Sequence, residues 1–159
     1  MVKINFLDTP GNAEFSAEVI QALSVVKGAV LMIDGAKGID IGTQAILSDL
    51  NQRNIPTVIF INKMDKEGAD PDRVKNELSQ LDVIPEEWGG DVQFAHISAK
   101  AGTGVDELLE AVLMQSELLE LTAPTQGMAA GVVIESRLDK GRGPVATVLV
   151  QSGQLSQGD

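Results

Sequence analysis

The sequence predicts an α/β fold: a parallel sheet with helical crossovers, followed by the opening strands of an all-β unit. Three observations carry this. Short runs rich in apolar residues, Ala29 to Ile33, Val58 to Ile61 and Val92 to Ile97, alternate with segments of helical periodicity. Each run ends in a polar loop with Gly, Asp, Asn or Ser at its carboxyl end. After Leu121 the helical period stops, and two runs joined by Asp139-Lys140-Gly141-Arg142-Gly143-Pro144 follow with no helix between them.

In chain order, Val2 to Leu7 alternates apolar Val2, Ile4 and Phe6 with polar Lys3 and Asn5, the pattern of a strand. Asp8-Thr9-Pro10-Gly11 would lie at its end. A helix is expected from about Ala13 to Val26, with Phe15, Val19, Ala22, Leu23 and Val26 on one face. The run Ala29 to Ile33 is a second strand, closed by Asp34-Gly35 and Gly38 as a loop. A helix over Thr43 to Arg53 would turn Ile46, Leu47 and Leu50 inward. Thr57 to Asp65 then organises the chain: Val58-Ile59-Phe60-Ile61 reads as a strand buried on both faces, stopping at Asn62-Lys63-Met64-Asp65. Asp70-Pro71 starts a helix, because Asp70 can cap free N–H groups and Pro71 needs no donor there. Residues 85–90 form a loop, and Val92 to Ile97 is a strand ending at Ser98-Ala99-Lys100. A long helix follows with Val105, Leu108, Leu109, Val112 and Leu113 inward. Residues 122–127 read as a linker, and Gly131 to Leu138 with Val145 to Val150 as a hairpin. Two strands make no stable sheet alone, so this last unit looks cut off.

Composition narrows the function classes. Among 159 residues, 23 are acidic and 12 basic, a net charge of −11 that disfavours gripping nucleic-acid backbones non-specifically. No DNA partner is expected. There is no Cys, hence no disulfide framework or thiolate metal site. No apolar run approaches the ~20 residues of a membrane span, and no signal peptide is visible, which favours a cytoplasmic domain. Aromatic residues are 3% of the chain, so Leu, Ile, Val and Ala must fill the core. His96, the only histidine, reads as a strand residue, Trp88 as a packing anchor, and Glu107, Glu110, Glu117 and Glu120 as a solvated helix face.

Chemistry concentrates at strand ends. In open α/β sheets ligands sit beyond the carboxyl ends of the strands. An Asn, a Lys and an Asp presented there can read a flat polar base. A carboxylate accepts two N–H bonds at once, and guanine offers N1–H and N2–H side by side, whereas adenine does not. DTPG at residues 8–11, NKMD at 62–65 and SAK at 98–100 resemble, in order and spacing, the third, fourth and fifth motifs of the P-loop GTPases. The resemblance implies GTP or GDP and Mg²⁺ as cofactors. It implies that Asp8 holds Mg²⁺ through water, that the Gly11 N–H meets the γ-phosphate, and that Thr9 and Pro10 between them belong to the same phosphate- and Mg²⁺-binding segment. Asn62 and Asp65 would read guanine, Lys63 would lie over the base, and the Ala99 N–H, between Ser98 and Lys100, would bond guanine O6.

Within that family, ADPDRVKNEL, VIPEEWGGD and LDKGRGPVATVLVQSG closely resemble bacterial translation initiation factor two from Ala69 to Asp159. INFLDTPGNAEFSAEVIQALSV and GIDIGTQ, within residues 1–68, are more similar to elongation factor G and its relatives. Both are ribosome-dependent GTPases. The resemblance implies the ribosome as partner, and initiator transfer RNA through a C-terminal domain missing here. It divides the chain into a partial GTP-binding domain at 1–121, a linker at 122–127 and the start of a β-barrel domain at 128–159. Two departures stand out. The family has His after DTPG, and this chain has Asn12, which cannot supply positive charge beside the attacking water. No Gly-Lys dipeptide exists, so the phosphate-cradling G-x-x-x-x-G-K-[ST] is absent and Met1 looks like an artificial start. The expectation is a fragment that is hydrolytically inactive alone. The rivals are an elongation factor G-like GTPase and a non-hydrolysing guanine-nucleotide or ribosome-binding remnant.

Overall fold

The computed structural model describes residues 4–11 and 16–158. Their order is α1 (Ser16–Leu23), β1 (Ala29–Asp34), α2 (Ile41–Gln52), β2 (Thr57–Asn62), α3 (Pro71–Ser79), a 3-10 turn at Glu86–Trp88, β3 (Phe94–His96), α4 (Val105–Leu118), β4 (Ala130–Asp139) and β5 (Gly143–Ser152). Two compact units result. One gathers Val26–Glu120 with the described part of Gly11–Ala13, the other the described residues of Met1–Pro10, Glu14–Val25 and Leu121–Asp159.

The first unit is built on β2. It lies between β1 and β3 and pairs in parallel with both, Ala29 opposite Thr57 and Ile59 opposite Phe94. A parallel neighbour on each side requires helical crossovers, which cover both faces. Ile59 and Ile61 point into one cluster with Leu31, Ile33, Leu47, Val74, Leu78 and Val83. Val58 and Phe60 point the other way, into a cluster with Ile97, against which Leu108 and Ala111 of α4 pack. The four residues Val58 to Ile61 are 0–2% exposed, as the apolar run predicted.

The helices start where side chains can hold free N–H groups. Asp40 accepts from the Thr43 N–H and hydroxyl at 2.7 and 2.8 Å, so α2 begins at Ile41, two residues earlier than the sequence suggests. Asp70 accepts from the Arg73 N–H at 2.9 Å and Pro71 opens α3, as expected. Helix α4 turns fewer residues inward than its pattern promised. Leu108, Val112 and Leu113 are partly buried, while Val105 and Leu109 are 38% and 41% exposed. Leu108 and Ala111, three residues apart on one helix face, are the α4 residues that pack on the cluster behind β2.

In the other unit, β4 and β5 form the antiparallel hairpin, with Ala130 opposite Ser152 and bulges near Ala130 and Val133. Of the expected strand at Val2 to Leu7, the described part is not a strand: residues 4–11 take no regular structure, and Val2 and Lys3 lie outside the described residues. Alternation is compatible with a strand but does not make one: a strand also needs a ladder partner, and residues 4–11 belong to neither described sheet. Residues 1–3 and 12–15, including Asn12 and the start of the first expected helix, lie outside the described residues. None of the described helices is long and apolar enough to cross a membrane.

Candidate functional site

The carboxyl ends of β1, β2 and β3 lie side by side, because the three strands are parallel and in register. Ladder-like bonds continue past the strands. The Gly35 N–H donates to the Asn62 carbonyl at 2.8 Å, and the Met64 N–H donates to the Ile97 carbonyl at 3.2 Å. Gly35 packs so closely that an added Cβ would lie 3.1 Å from that same Asn62 carbonyl oxygen. The loop leaving β2 is thus tied to both neighbours. Its Lys63 has φ of +65°, a left-handed conformation that side-chain-bearing residues adopt rarely.

Two side chains of this loop reach toward β3. Asn62 Oδ1 accepts from the Lys63 N–H at 2.7 Å and from the Ala99 N–H at 3.2 Å. Asp65 Oδ1 accepts from the Ser98 hydroxyl at 2.6 Å. Ser98 is buried at 2% exposure; its Oγ in turn accepts from the Ala101 N–H at 3.1 Å. The hydrogen bond from Ser98 is the main reason the Asp65 carboxyl is held below the usual carboxylate range. The Asp65 backbone N–H, Lys100 and Lys66 add to it against the opposing effect of desolvation. The result is an ionised, exposed carboxylate set beside an amide and a loop N–H. That arrangement suits a planar ligand presenting adjacent N–H donors.

Lys63 turns the other way. Its Nζ lies 2.6 Å from Asp34 Oδ2 at the end of β1, and Lys66 Nζ lies 3.6 Å from the same oxygen. Asp34 Oδ1 accepts from the Ala36 and Lys37 N–H groups at 3.0 and 3.3 Å. The Lys63 bond, then those backbone bonds, push the Asp34 carboxyl far below its ordinary range against the opposing effect of desolvation. The sequence alone marks Asp34-Gly35 only as a loop. The available signal is positional: Asp34 ends an apolar parallel strand, just as Asn62 does.

So Asn62, Lys63, Asp65, Ser98 and Ala99 come together, with Lys100 near enough to act on Asp65. Asp8, Thr9, Pro10 and Gly11 lie in the irregular segment, not at a strand end, and Asp8 is exposed. Among the described residues no group of three or more His, Asp or Glu could cage a metal ion. A separate groove of about 390 Å³ is lined by Glu86, Glu87, Phe94, Glu107, Glu110 and Met114 among others and shares no residue with the cluster.

Residues 1–117 match the family model for the elongation factor Tu GTP binding domain. This chain belongs to the translational GTPases. Its residues 128–159 also match elongation factor G domain 2. Among solved structures, this translational GTPase is similar to translation elongation factor SelB from Methanococcus maripaludis in complex with the GTP analogue GppNHp. The identity is 27% and the TM-score 0.76, covering 96% of this chain and 34% of that one. The GDP-bound aIF5B from Aeropyrum pernix is 26% identical with a TM-score of 0.60, covering 80% of this chain and 27% of its own. The apo form of SelB, at 24% identity and a TM-score of 0.70, shares the fold. The translational GTPase described here therefore spans about a third or less of the solved proteins it matches.

Proposed function

We propose that this chain is the guanine-reading part of a GTPase that works on the ribosome. The observation that carries the proposal is the pairing of the two loops, Asp65 with Ser98 and Asn62 with Ala99. In this reading the ionised Asp65 accepts guanine N1–H and N2–H, and Ser98 keeps it aimed and charged. The Ala99 N–H, whose bond to Asn62 is long at 3.2 Å, shares its proton with guanine O6. Asp8 to Gly11 would serve the phosphates and a water-bridged Mg²⁺, with Asn12 beside the attacking water. Two relatives support the nucleotide: SelB was solved with GppNHp and aIF5B with GDP.

The strings from Ala69 to Asp159 favour initiation factor two as the subfamily, with initiator transfer RNA bound elsewhere in the parent and a cytoplasmic location. The proposed division is a GTP-binding part at 1–121, a linker at 122–127 and a barrel start at 128–159. A second reading, a remnant that binds but does not hydrolyse, is favoured by Asn12 and by the absence of any Gly-Lys.

The test is base choice. In a complete GTPase domain carrying this segment, Asp65→Asn lowers GTP affinity by roughly a hundredfold, the scale of a lost charged hydrogen-bond pair. It also shifts preference toward xanthosine triphosphate, whose C2 oxygen accepts from the new amide. Competition binding with GTP, ATP and XTP measures this; unchanged GTP affinity would sink the assignment.

A further inference from the structure

We propose that Asp34 is a positioning residue for the base site. It pins the Lys63 ammonium on the β1 side, so that a bound base meets the Lys63 methylene stem and not its charge. The inference rests on the guanine reading and extends it to a residue outside the NKMD and SAK loops.

The geometry sets a fixed anchor against a mobile partner. Asp34 is held at Oδ1 by the Ala36 and Lys37 N–H groups, and its side chain is 12% exposed. Lys63, by contrast, is 45% exposed, and a lysine stem has four rotatable bonds. The fixed group therefore decides where the flexible one goes. The positive φ of Lys63 and the Asn62 Oδ1 bond to its N–H orient the first part of the side chain. Asp34 then holds the far end at 2.6 Å. Side chains from one short loop diverge as a result: Asn62 and Asp65 go to the β3 loop, and Lys63 crosses to the β1 loop.

That division has a chemical purpose. A free ammonium is strongly hydrated and would bring water, and a charge, to the face of an aromatic base. Held on a carboxylate, the same residue offers a run of methylenes with its charge neutralised at one end, which suits a flat ring. Lys66 Nζ, 3.6 Å from the same Asp34 oxygen, is a second cation on the β1 side of the loop. Asp34 has a competing local role, since its Oδ1 closes the Asp34-Gly35-Ala36-Lys37 turn. Asp34→Asn separates the two: the amide keeps an acceptor for the turn but loses the charge that grips Lys63.

The experiment uses the 159-residue chain and four variants: Asp34→Asn, Lys63→Met, the double variant that combines them, and Asp65→Asn. Nitrogen-detected NMR of lysine side chains follows the Lys63 ammonium, and fluorescence titration with mant-GDP follows binding. In the parent chain the Lys63 ammonium signal is protected from solvent exchange. In Asp34→Asn it is lost, while the amide signals of Ala36 and Lys37 stay in place. Asp34→Asn weakens mant-GDP binding by about tenfold in the parent chain, and by nothing further in the chain already carrying Lys63→Met. An ammonium signal that persists in Asp34→Asn overturns the inference. So does an equal loss of binding when Asp34→Asn is added to the parent chain and to the Lys63→Met variant, which would mean that Asp34 acts through the turn alone. Absent mant-GDP binding, or binding indifferent to Asp65→Asn, overturns the guanine reading instead and removes the site that Asp34 would position. Asp65-dependent binding that ignores Asp34 overturns this inference only.

Discussion

Asp34 and Asp65 are both held ionised, but by different means: one by a lysine ammonium, the other by a serine hydroxyl. Each has a carboxyl lowered on folding, so each stabilises the native state above the unfolded carboxylate value of ~3.9 and loses that contribution as pH falls toward the folded value. Asp34→Asn should therefore reduce stability at pH 7, and its difference from the parent chain should narrow steadily below pH ~4. Urea midpoints at a series of pH values check this; a difference that does not change with pH excludes Asp34 as the titrating group. Asn12 gives a second prediction at this scale. An amide orients water but stays neutral as charge shifts in the transition state. In a completed domain, Asn12→His should raise ribosome-stimulated single-turnover phosphate release by ~10²–10⁴ with nearly constant GTP affinity. Equal rates would place Asn12 away from the attacking water. The site is readable where its residues are contiguous, in NKMD and SAK. Asp34 is not, because one Asp before Gly has the signature of any turn, and its partner is 29 positions away.

Among the elements, most of those with a local cause were legible. Asp70 caps α3 with Pro71 at its first position, and the β2 run is apolar throughout. The Asp40 cap is just as local, yet α2 starts two residues before the expected Thr43. The strand expected near the amino end failed because pairing is not local. The glycines around Ser98 show how an element boundary is enforced. Gly102 and Gly104 have φ of +73° and +76°, so an alanine at either position incurs about 1–2 kcal/mol of backbone strain. Around Gly102 there is open space, but a Cβ on Gly104 would stand 2.3 Å from the His96 carbonyl oxygen, which is backbone and cannot swing aside. Gly104→Ala should accordingly destabilise the chain clearly more than Gly102→Ala in urea denaturation; equal losses would mean that strain alone decides. The Lys75–Glu87 pair is a second device, fixing the 3-10 turn to α3. Lys75 is buried with a side chain 4% exposed, and Glu87, 2.5 Å away, is 56% exposed. Removing the outer partner strands a buried cation, whereas removing the lysine strands nothing. Glu87→Gln should lower the melting temperature more than Lys75→Met, a result that thermal denaturation of the two variants reads directly.

At the scale of the whole chain, base recognition and phosphate chemistry are separable. In the proposed reading the cluster at the ends of β1, β2 and β3 binds a base, and its parts are assembled. Phosphoryl transfer needs something else: a cradle that fixes the phosphates, with positive charge where negative charge develops. The sequence holds no Gly-Lys dipeptide from which the usual cradle is made, and among the described residues no carboxylate cluster cages a cation. The edge strand β1 and the hairpin leave apolar side chains exposed. Met32 on β1 is 47% exposed, and Val133, Leu138 and Val148 on the hairpin are 50%, 80% and 44% exposed. A chain of this kind can select guanine through a few directed hydrogen bonds without lowering the barrier to hydrolysis, because ground-state contacts to the base are unchanged in the transition state. The 159-residue chain, with or without ribosomes, should then release no phosphate from GTP above ribosomes alone. The measurement is phosphate release from γ-labelled GTP at saturating ribosomes, with Asp65→Asn run in parallel. Sustained turnover that disappears in the Asp65→Asn chain would show that catalysis here needs no Gly-Lys cradle, and would move the chemistry onto Asp8 to Asn12.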